Sequence, residues 1–323
     1  MLLATGLPAQ ADPRPAAGAR PVGEALGMAW LVRIQNAAQK LNYSGTFVYQ
    51  QGNHMQSSRV THAHDLTGEH EKLEILDGQA VEYIRHNDEL KCYSPEAKVV
   101  VTEKRPATDR FPGLLVPVTG DLEQFYKITR VGSDRVAGRP CQVTLVEPRD
   151  GLRYGYRLWT DQASGLLLKA QTLNERGEVI EQVGFSEVSI GEPIERNRFR
   201  PSARSLAGWR WERVESQVAD FSLAGWTLRT PVPGFQKVRE VKRSFAGRRE
   251  VGQMVFSDGL ANISVFIEAG AAPGATEGEQ NRGPTNVVSR RHGEFWLTVV
   301  GEAPAASIRQ LANSLEFAKS TAK

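Results

Sequence analysis

The 323-residue sequence predicts an α+β protein, with a large antiparallel sheet and helices followed by a smaller α/β unit. Three observations carry this prediction. Across residues 139–185, period-two runs meet at Asp150-Gly151, Ser164-Gly165 and Arg176-Gly177. Such corners suit hairpins, because primed turns need residues that tolerate positive φ. Earlier in the chain, Trp30, Ile34, Ala37, Ala38 and Leu41 recur at helical spacing and form one apolar stripe. Later, a charged, Pro-broken stretch at 191–207 precedes a second series of strands that ends in another helical stripe.

The elements follow in order. Residues 1–11 end in Ala9-Gln10-Ala11 and read as a truncated signal peptide with an A-x-A cleavage pattern. Residues 12–26, rich in Pro, Ala and Gly, read as a flexible arm. A helix is predicted over 27–42. Strands are predicted over 45–50, 58–64, 72–76, 80–85, 90–93 and 98–102, with turns at Gln51-Gly52-Asn53, Asp77-Gly78 and Asn87-Asp88. The apolar, Pro-interrupted segment 111–118 then breaks the pattern. Asp121 caps a short helix carrying Leu122, Phe125 and Tyr126. Loop and helix either gate a cavity or cover a sheet face; both readings stay open. In the 139–185 meander one face is expected to be buried. Tyr154, Tyr156 and Leu158 share a phase, and Trp159 has the opposite one. The first domain is placed at 27–190, a linker at 191–215 and a second domain at 216–319. That second unit has strands near 237–242, 252–256, 263–268, 287–291 and 294–300, a low-complexity mobile loop at 269–284, and a helix at 304–315 with Ile308, Leu311, Ala312 and Leu315 on one face.

Composition narrows the function. A net charge of +3 leaves no polyelectrolyte footprint for nucleic acid. No run approaches the roughly 20 apolar residues of a membrane span. The sequence lacks the G-x-S-x-G, P-loop, Rossmann, H-E-x-x-H and CxxC patterns; no catalytic residue, cofactor or metal is expected. His62 and His64 face one side of a strand, but no ligand at metal spacing completes them, and they read as solvated. Glu69, Glu71 and Glu74 also read as solvated. For Cys92 and Cys141 two readings stay open: a bridge across the sheet, or two buried free thiols.

Several longer stretches carry a resemblance. They are GRPCQV (138–143), PRDGLRYGYRLWTD (148–161), SGLLLKAQTLNERGEVIEQ (164–182), PGF (233–235), FSDGLANISVFIE (256–268) and TVVGEAPAASIRQLANSLEF (298–317). In register across both units, they resemble the RseB/MucB family of periplasmic regulators of the envelope-stress sigma factor. The resemblance implies a first domain like the lipoprotein carriers LolA and LolB, a half-open curved sheet on helices, and a smaller C-terminal domain. It implies binding rather than catalysis, in the periplasm. The partner is the periplasmic domain of a membrane anti-sigma factor (RseA or MucA), shielded from the site-1 protease and released by a lipid or lipopolysaccharide fragment. A homodimer is compatible with it. A lipoprotein carrier of the LolA type is the alternative. On this reading Phe111, Leu114, Leu115, Val116, Phe125 and Tyr126 are candidates for an acyl-chain cavity. Arg282, Arg290, Arg291 and His292 are candidates for the partner surface.

Overall fold

The computed structural model describes residues 24–104, 122–245, 250–270 and 274–318. Helix α1 (Glu24–Lys40) opens the fold and is followed by six strands: β1 (Tyr43–Gln51), β2 (His54–Asp65), β3 (Gly68–Ile75), β4 (Glu82–His86), β5 (Glu89–Ser94) and β6 (Val99–Lys104). After the short helix α2 (Leu122–Phe125) come β7 (Tyr126–Val136), β8 (Arg139–Pro148), β9 (Gly155–Asp161), β10 (Leu167–Leu173) and β11 (Val179–Ile190). Antiparallel pairing gives the spatial order β7-β8-β9-β10-β11-β1-β2-β3-β4-β5-β6. The strand nearest the N-terminus therefore sits in the middle, beside the last strand of the meander. The sheet curls enough for β7 to approach β11 across the three strands between them.

The turn chemistry is as the sequence requires. Asn87 adopts φ 55° between β4 and β5, a left-handed conformation that Asn tolerates. Its side-chain oxygen accepts a hydrogen bond from the Glu69 amide at 3.0 Å. Helix α1 ends at Lys40, and its stripe of Trp30, Leu31, Ile34 and Ala37 is buried.

Register decides which face each meander residue serves. Leu158 stands opposite Ala170, and Ala170 opposite Val183; Tyr156 stands opposite Thr172, and Thr172 opposite Glu181. This face packs against α1 through Trp30, Leu31 and Ile34. Trp159 lies on the other face, opposite Lys169. There it is buried as well: its indole N–H donates to Asp134 at 2.9 Å, and the Lys169 ammonium lies 4.6 Å above its ring. So the expected single buried face is corrected to two. The second face packs Trp159 into a cluster with Val136, Cys141 and Val143, which alternation alone does not reveal.

Two further expectations change. His62 is fully buried, not solvated: Nδ1 donates to the Leu41 carbonyl at 2.7 Å, Nε2 lies 3.1 Å from Glu69, and the ring stacks on Tyr43 at 4.8 Å. Glu69 and Glu71 are buried too. Cys92 on β5 and Cys141 on β8 are not joined in a disulfide, and burial pushes the Cys141 thiol up to about 11.

The connecting stretch is anchored along its length. A 3-10 turn (Arg196–Phe199) packs Phe199 on His70, and Arg196 pairs with Asp65 at 3.0 Å. The buried Lys72 ammonium donates to the Arg200 carbonyl and to Ser202 Oγ, both at 3.0 Å. The chain then forms β12 (Arg210–Val218). Residues 210–214 run parallel to β6, and residues 214–218 pair antiparallel with β14 (Gln236–Phe245).

Around β14 the second unit comprises β13 (Trp226–Leu228), β15 (Val251–Ser257), β16 (Asn262–Ala269), β17 (Gly278–Arg282), β18 (Thr285–His292), β19 (Phe295–Gly301), α3 (Ala305–Ser314) and β20 (Leu315–Phe317). The order β14-β15-β16-β19-β18-β17 continues the first sheet through β12, giving 18 hydrogen-bonded strands. β13 and β20 form a separate pair. Part of the expected loop at 269–284 is thus a regular edge strand, β17. The α3 stripe of Ile308, Leu311, Ala312 and Leu315 seals a core with Ile263, Val265, Leu297 and Val299.

Leu158 is 2% exposed at the centre of the face that receives α1. Leu158→Ala is expected to cost about 2–5 kcal/mol, the range for deleting a buried leucine side chain. Urea unfolding at constant m-value checks this.

Candidate binding cleft between the domains

The site begins at the turn between β8 and β9. Asp150-Gly151 bends the chain so that Arg153 points into the second domain. The Arg153 side chain is fully buried. Its Nε donates to Asp258 Oδ2 at 2.9 Å, Nη1 to Asp150 Oδ2 at 2.5 Å, and Nη2 to the Pro233 carbonyl. The guanidinium lies over the rings of Phe125 (4.3 Å) and Phe235 (5.2 Å). Asp258 also accepts the Tyr126 hydroxyl at 2.8 Å and the amides of Leu260 and Ala261. Burial, then the Asp258 charge, pushes the Tyr126 phenol well up, which keeps it a donor. Gly234 completes the fit: φ is +79°, and a Cβ there would stand 2.6 Å from the Phe125 ring. Two hydrogen bonds extend the contact, Asn286 to Tyr154 Oη at 3.1 Å and Ser307 Oγ to the Leu152 carbonyl at 2.6 Å.

Beside this lock the domains stand apart and leave a cleft of about 480 Å³. The sheet face that carries Tyr156 and Leu158 supplies one wall, through Phe47, Tyr49, Ala170, Thr172, Glu181 and Val183; Leu260, Asn262, Ser264, Thr285, Val300 and Glu302 supply the other. A second cavity of about 580 Å³ shares Tyr49 and Thr285 and reaches Gln51, His54 and Arg282. At that end the Gln51 amide donates to the Arg282 carbonyl at 3.4 Å, across the domains.

The walls mix apolar and polar side chains, and their charged groups are acids. Tyr49 Oη donates to Glu181 Oε2 at 2.6 Å. Burial raises the Glu181 carboxyl above its usual range, and burial followed by the Glu181 hydrogen bond raises the Tyr49 phenol. Glu302 is exposed at the open side of the cleft, and the protein around its carboxyl, then Glu181, pushes it upward. The cleft can therefore take an apolar group on Phe47, Ala170, Val183, Leu260 and Val300 and offer acceptors beside it, the usual composition of a binding site. Among the described residues no group of three or more His, Cys, Asp or Glu side chains is arranged to hold a metal ion.

The residues expected from sequence are placed as follows. Phe111, Leu114, Leu115 and Val116, together with the capping Asp121, lie outside the described residues. Phe125 and Tyr126 belong to the lock around Arg153 and do not line the cleft. Arg282 and Arg291 are exposed. Arg290 instead holds Asn313 and the Leu315 carbonyl, and His292 accepts the Phe317 amide while resting on Trp226. Sequence reasoning missed Arg153, Asp258, Glu181 and Glu302. The only signal for them was the Arg three residues after the Asp150 turn and the Ser257-Asp258-Gly259 corner.

The fold is that of a two-domain protein with a candidate binding cleft between the domains. The chain belongs to the MucB/RseB family, a family of sigma-factor regulatory proteins: the family's N-terminal domain matches residues 27–203 and its C-terminal domain residues 220–316. It is similar to the sigma factor AlgU regulatory protein MucB of Pseudomonas aeruginosa, 31% identical over 297 residues that cover 88% of this chain and 89% of that protein. It is also similar to the sigma-E factor regulatory protein RseB of Escherichia coli K12, 26% identical over 304 residues, covering 93% and 92%. In a solved complex of Pseudomonas aeruginosa MucA and MucB, the matching chain is 28% identical with a TM-score of 0.68, covering 90% of this chain and 98% of that one. Among the described residues no helix is long and apolar enough to cross a membrane.

Removing Arg153 leaves Asp258 buried without its cation. Arg153→Ala is expected to cost about 3–5 kcal/mol, as for breaking a buried ion pair on one side. Calorimetry should show one unfolding transition becoming two, whereas Tyr154→Phe should leave a single transition.

Proposed function

We propose that the chain is a negative regulator of a sigma-E-type envelope-stress response, working in the periplasm. It binds the periplasmic domain of a membrane anti-sigma factor of the RseA/MucA kind and shields it from the first protease of the cascade. A lipid or lipopolysaccharide fragment releases the hold. One observation carries this reading: both domains are matched, in order and nearly end to end, by a MucB chain solved together with MucA. The cleft supports the lipid arm, since its apolar floor suits an acyl chain. Exposed Arg282 supports a partner contact beside its mouth and exposed Arg291 one further along β18, while Arg290 and His292 serve the fold.

Partner and lipid are linked. If lipid weakens partner binding by some factor, the partner weakens lipid binding by the same factor. A carrier of the LolA type would need only the first domain and a cavity it forms alone, whereas here half of the cleft wall belongs to the second domain.

The test is capture of the purified chain on the immobilised periplasmic domain of the anti-sigma factor from the same organism. Retention at micromolar concentration is expected, with release on adding lipopolysaccharide fragments. No retention at micromolar concentration would sink the reading. Arg282→Glu with Arg291→Glu is expected to weaken capture about tenfold, roughly 1.4 kcal/mol, with the melting temperature unchanged. Arg290→Ala should instead lower the melting temperature.

A further inference from the structure

The stretch that connects the domains concentrates the positive charge of the chain. Residues 196–211 hold five arginines, Arg196, Arg198, Arg200, Arg204 and Arg210, and no lysine or acid. The strip is therefore +5 while the whole chain is +3, which leaves the remainder two charges negative. Two of the five are matched: Arg196 pairs with Asp65 at 3.0 Å and Arg210 with Glu212 at 2.8 Å. Arg198, Arg200 and Arg204 are exposed, and among the described residues their guanidiniums meet no carboxylate.

The strip is pinned across the first sheet. Phe199 packs on His70 of β3, and the Lys72 ammonium of β3 donates to the Arg200 carbonyl. The Ser202 amide donates to Glu82 of β4 at 3.0 Å, and the Arg210 amide to the Lys98 carbonyl, beside β6, at 2.8 Å. Backbone and Ser202 thus take the inward contacts, and the three unmatched arginines stay in solvent. Crossing from β3 to β6 covers about 14 Å at the usual strand spacing. At the far end the Trp211 side chain is 54% exposed. At the near end Arg198 lines a cavity of about 370 Å³ with Arg59, Ser44 and Ser189; the acid there, Glu187, already accepts the Thr46 hydroxyl at 2.8 Å.

Fixing unmatched cations side by side costs self-repulsion that solvent and salt screen only in part. An extended anionic surface relieves it along the whole strip. Guanidiniums match phosphate oxygens in a fork, and an exposed indole suits the depth of lipid headgroups. Arginines arrayed with such a ring are the composition of a contact that lies on a membrane instead of spanning it.

We propose that the connecting strip, through Arg198, Arg200, Arg204 and Trp211, docks the chain on the surface of a bilayer rich in anionic phospholipid. This docking involves the chain alone and holds whether or not an anti-sigma factor is bound. Each unmatched arginine near such a surface changes partitioning about fivefold.

The full chain is floated at low ionic strength with vesicles of phosphatidylglycerol and phosphatidylcholine in equal parts, and with phosphatidylcholine alone. The chain is expected to rise with the anionic vesicles only, to shift its tryptophan emission to the blue, and to be released by high salt. Arg198→Gln with Arg200→Gln and Arg204→Gln should weaken partitioning about a hundredfold, with the melting temperature unchanged. Trp211→Phe should remove most of the emission shift. Arg282→Gln with Arg291→Gln, which takes charge from the proposed partner surface, should float like the wild type. Failure of the wild type to rise with anionic vesicles overturns the docking, as does equal flotation with phosphatidylcholine alone. So does a strip variant that floats like the wild type, or an emission shift that survives Trp211→Phe. Equal loss in the Arg282 and Arg291 variant would assign the effect to net charge, and capture by polyglutamate in place of vesicles would assign the strip to an acidic protein; either also overturns it.

Discussion

The buried guanidinium of Arg153 is the interaction on which the rest of the site depends. Neither domain forms the cleft alone: Phe47, Ala170 and Val183 come from one side, Leu260 and Val300 from the other. Their spacing is set where Arg153 reaches Asp258 and the Pro233 carbonyl. A buried ion pair is a weak source of net stability, because desolvation offsets much of the attraction. Here its geometry matters more. Three of the N–H donors of its rigid fork reach acceptors on both domains, and the guanidinium is stacked on aromatic faces. Only one relative orientation satisfies them all, and in that orientation Leu260 joins the core of the first domain.

The strand that links the domains adds a second constraint of another kind. β12 gives its first half to β6 and its second half to β14, so backbone hydrogen bonds run without interruption from the first sheet into the second. The segment leading to it is tied down by Lys72, Asp65 and His70. A stretch whose charges and prolines suggest a loose tether is thus fixed to the domain it leaves. Rotation between the domains is confined to what the lock and this strand both allow, which favours opening at the mouth over free swivelling.

Local pattern made much of the fold legible. The hairpins of the 139–185 meander, the α1 and α3 stripes and the edges of most strands follow from turn residues and periodicity acting over a few positions. What stayed hidden depends on residues far apart in the chain. His62 and Glu69 each look solvated alone; they are buried because they satisfy each other and the Leu41 carbonyl. Trp159 has the opposite phase to Tyr156, and its burial depends on Val136, Cys141 and Val143 from two other strands. The parallel pairing of β6 with β12 has no local signature, since its register depends on where the intervening chain is pinned. Arg153 and Asp258 are 105 positions apart, and nothing in either neighbourhood names the other. The resemblance found the family through long matched stretches, but could not show that PRDGLRYGY carries the domain lock.

The same interface joins firm attraction at one end with a single long side-chain contact, Gln51 to the Arg282 carbonyl, at the other, and this arrangement has a physical logic. If the whole interface were lined with satisfied pairs, the domains would have a single arrangement and a ligand could shift nothing. If it were lined with acids throughout, the domains would not assemble. Placing the ion pair and its aromatic cage next to the strand connection fixes the axis. Any ligand that binds one relative placement of the domains better than another shifts the balance by its difference in affinity and no more.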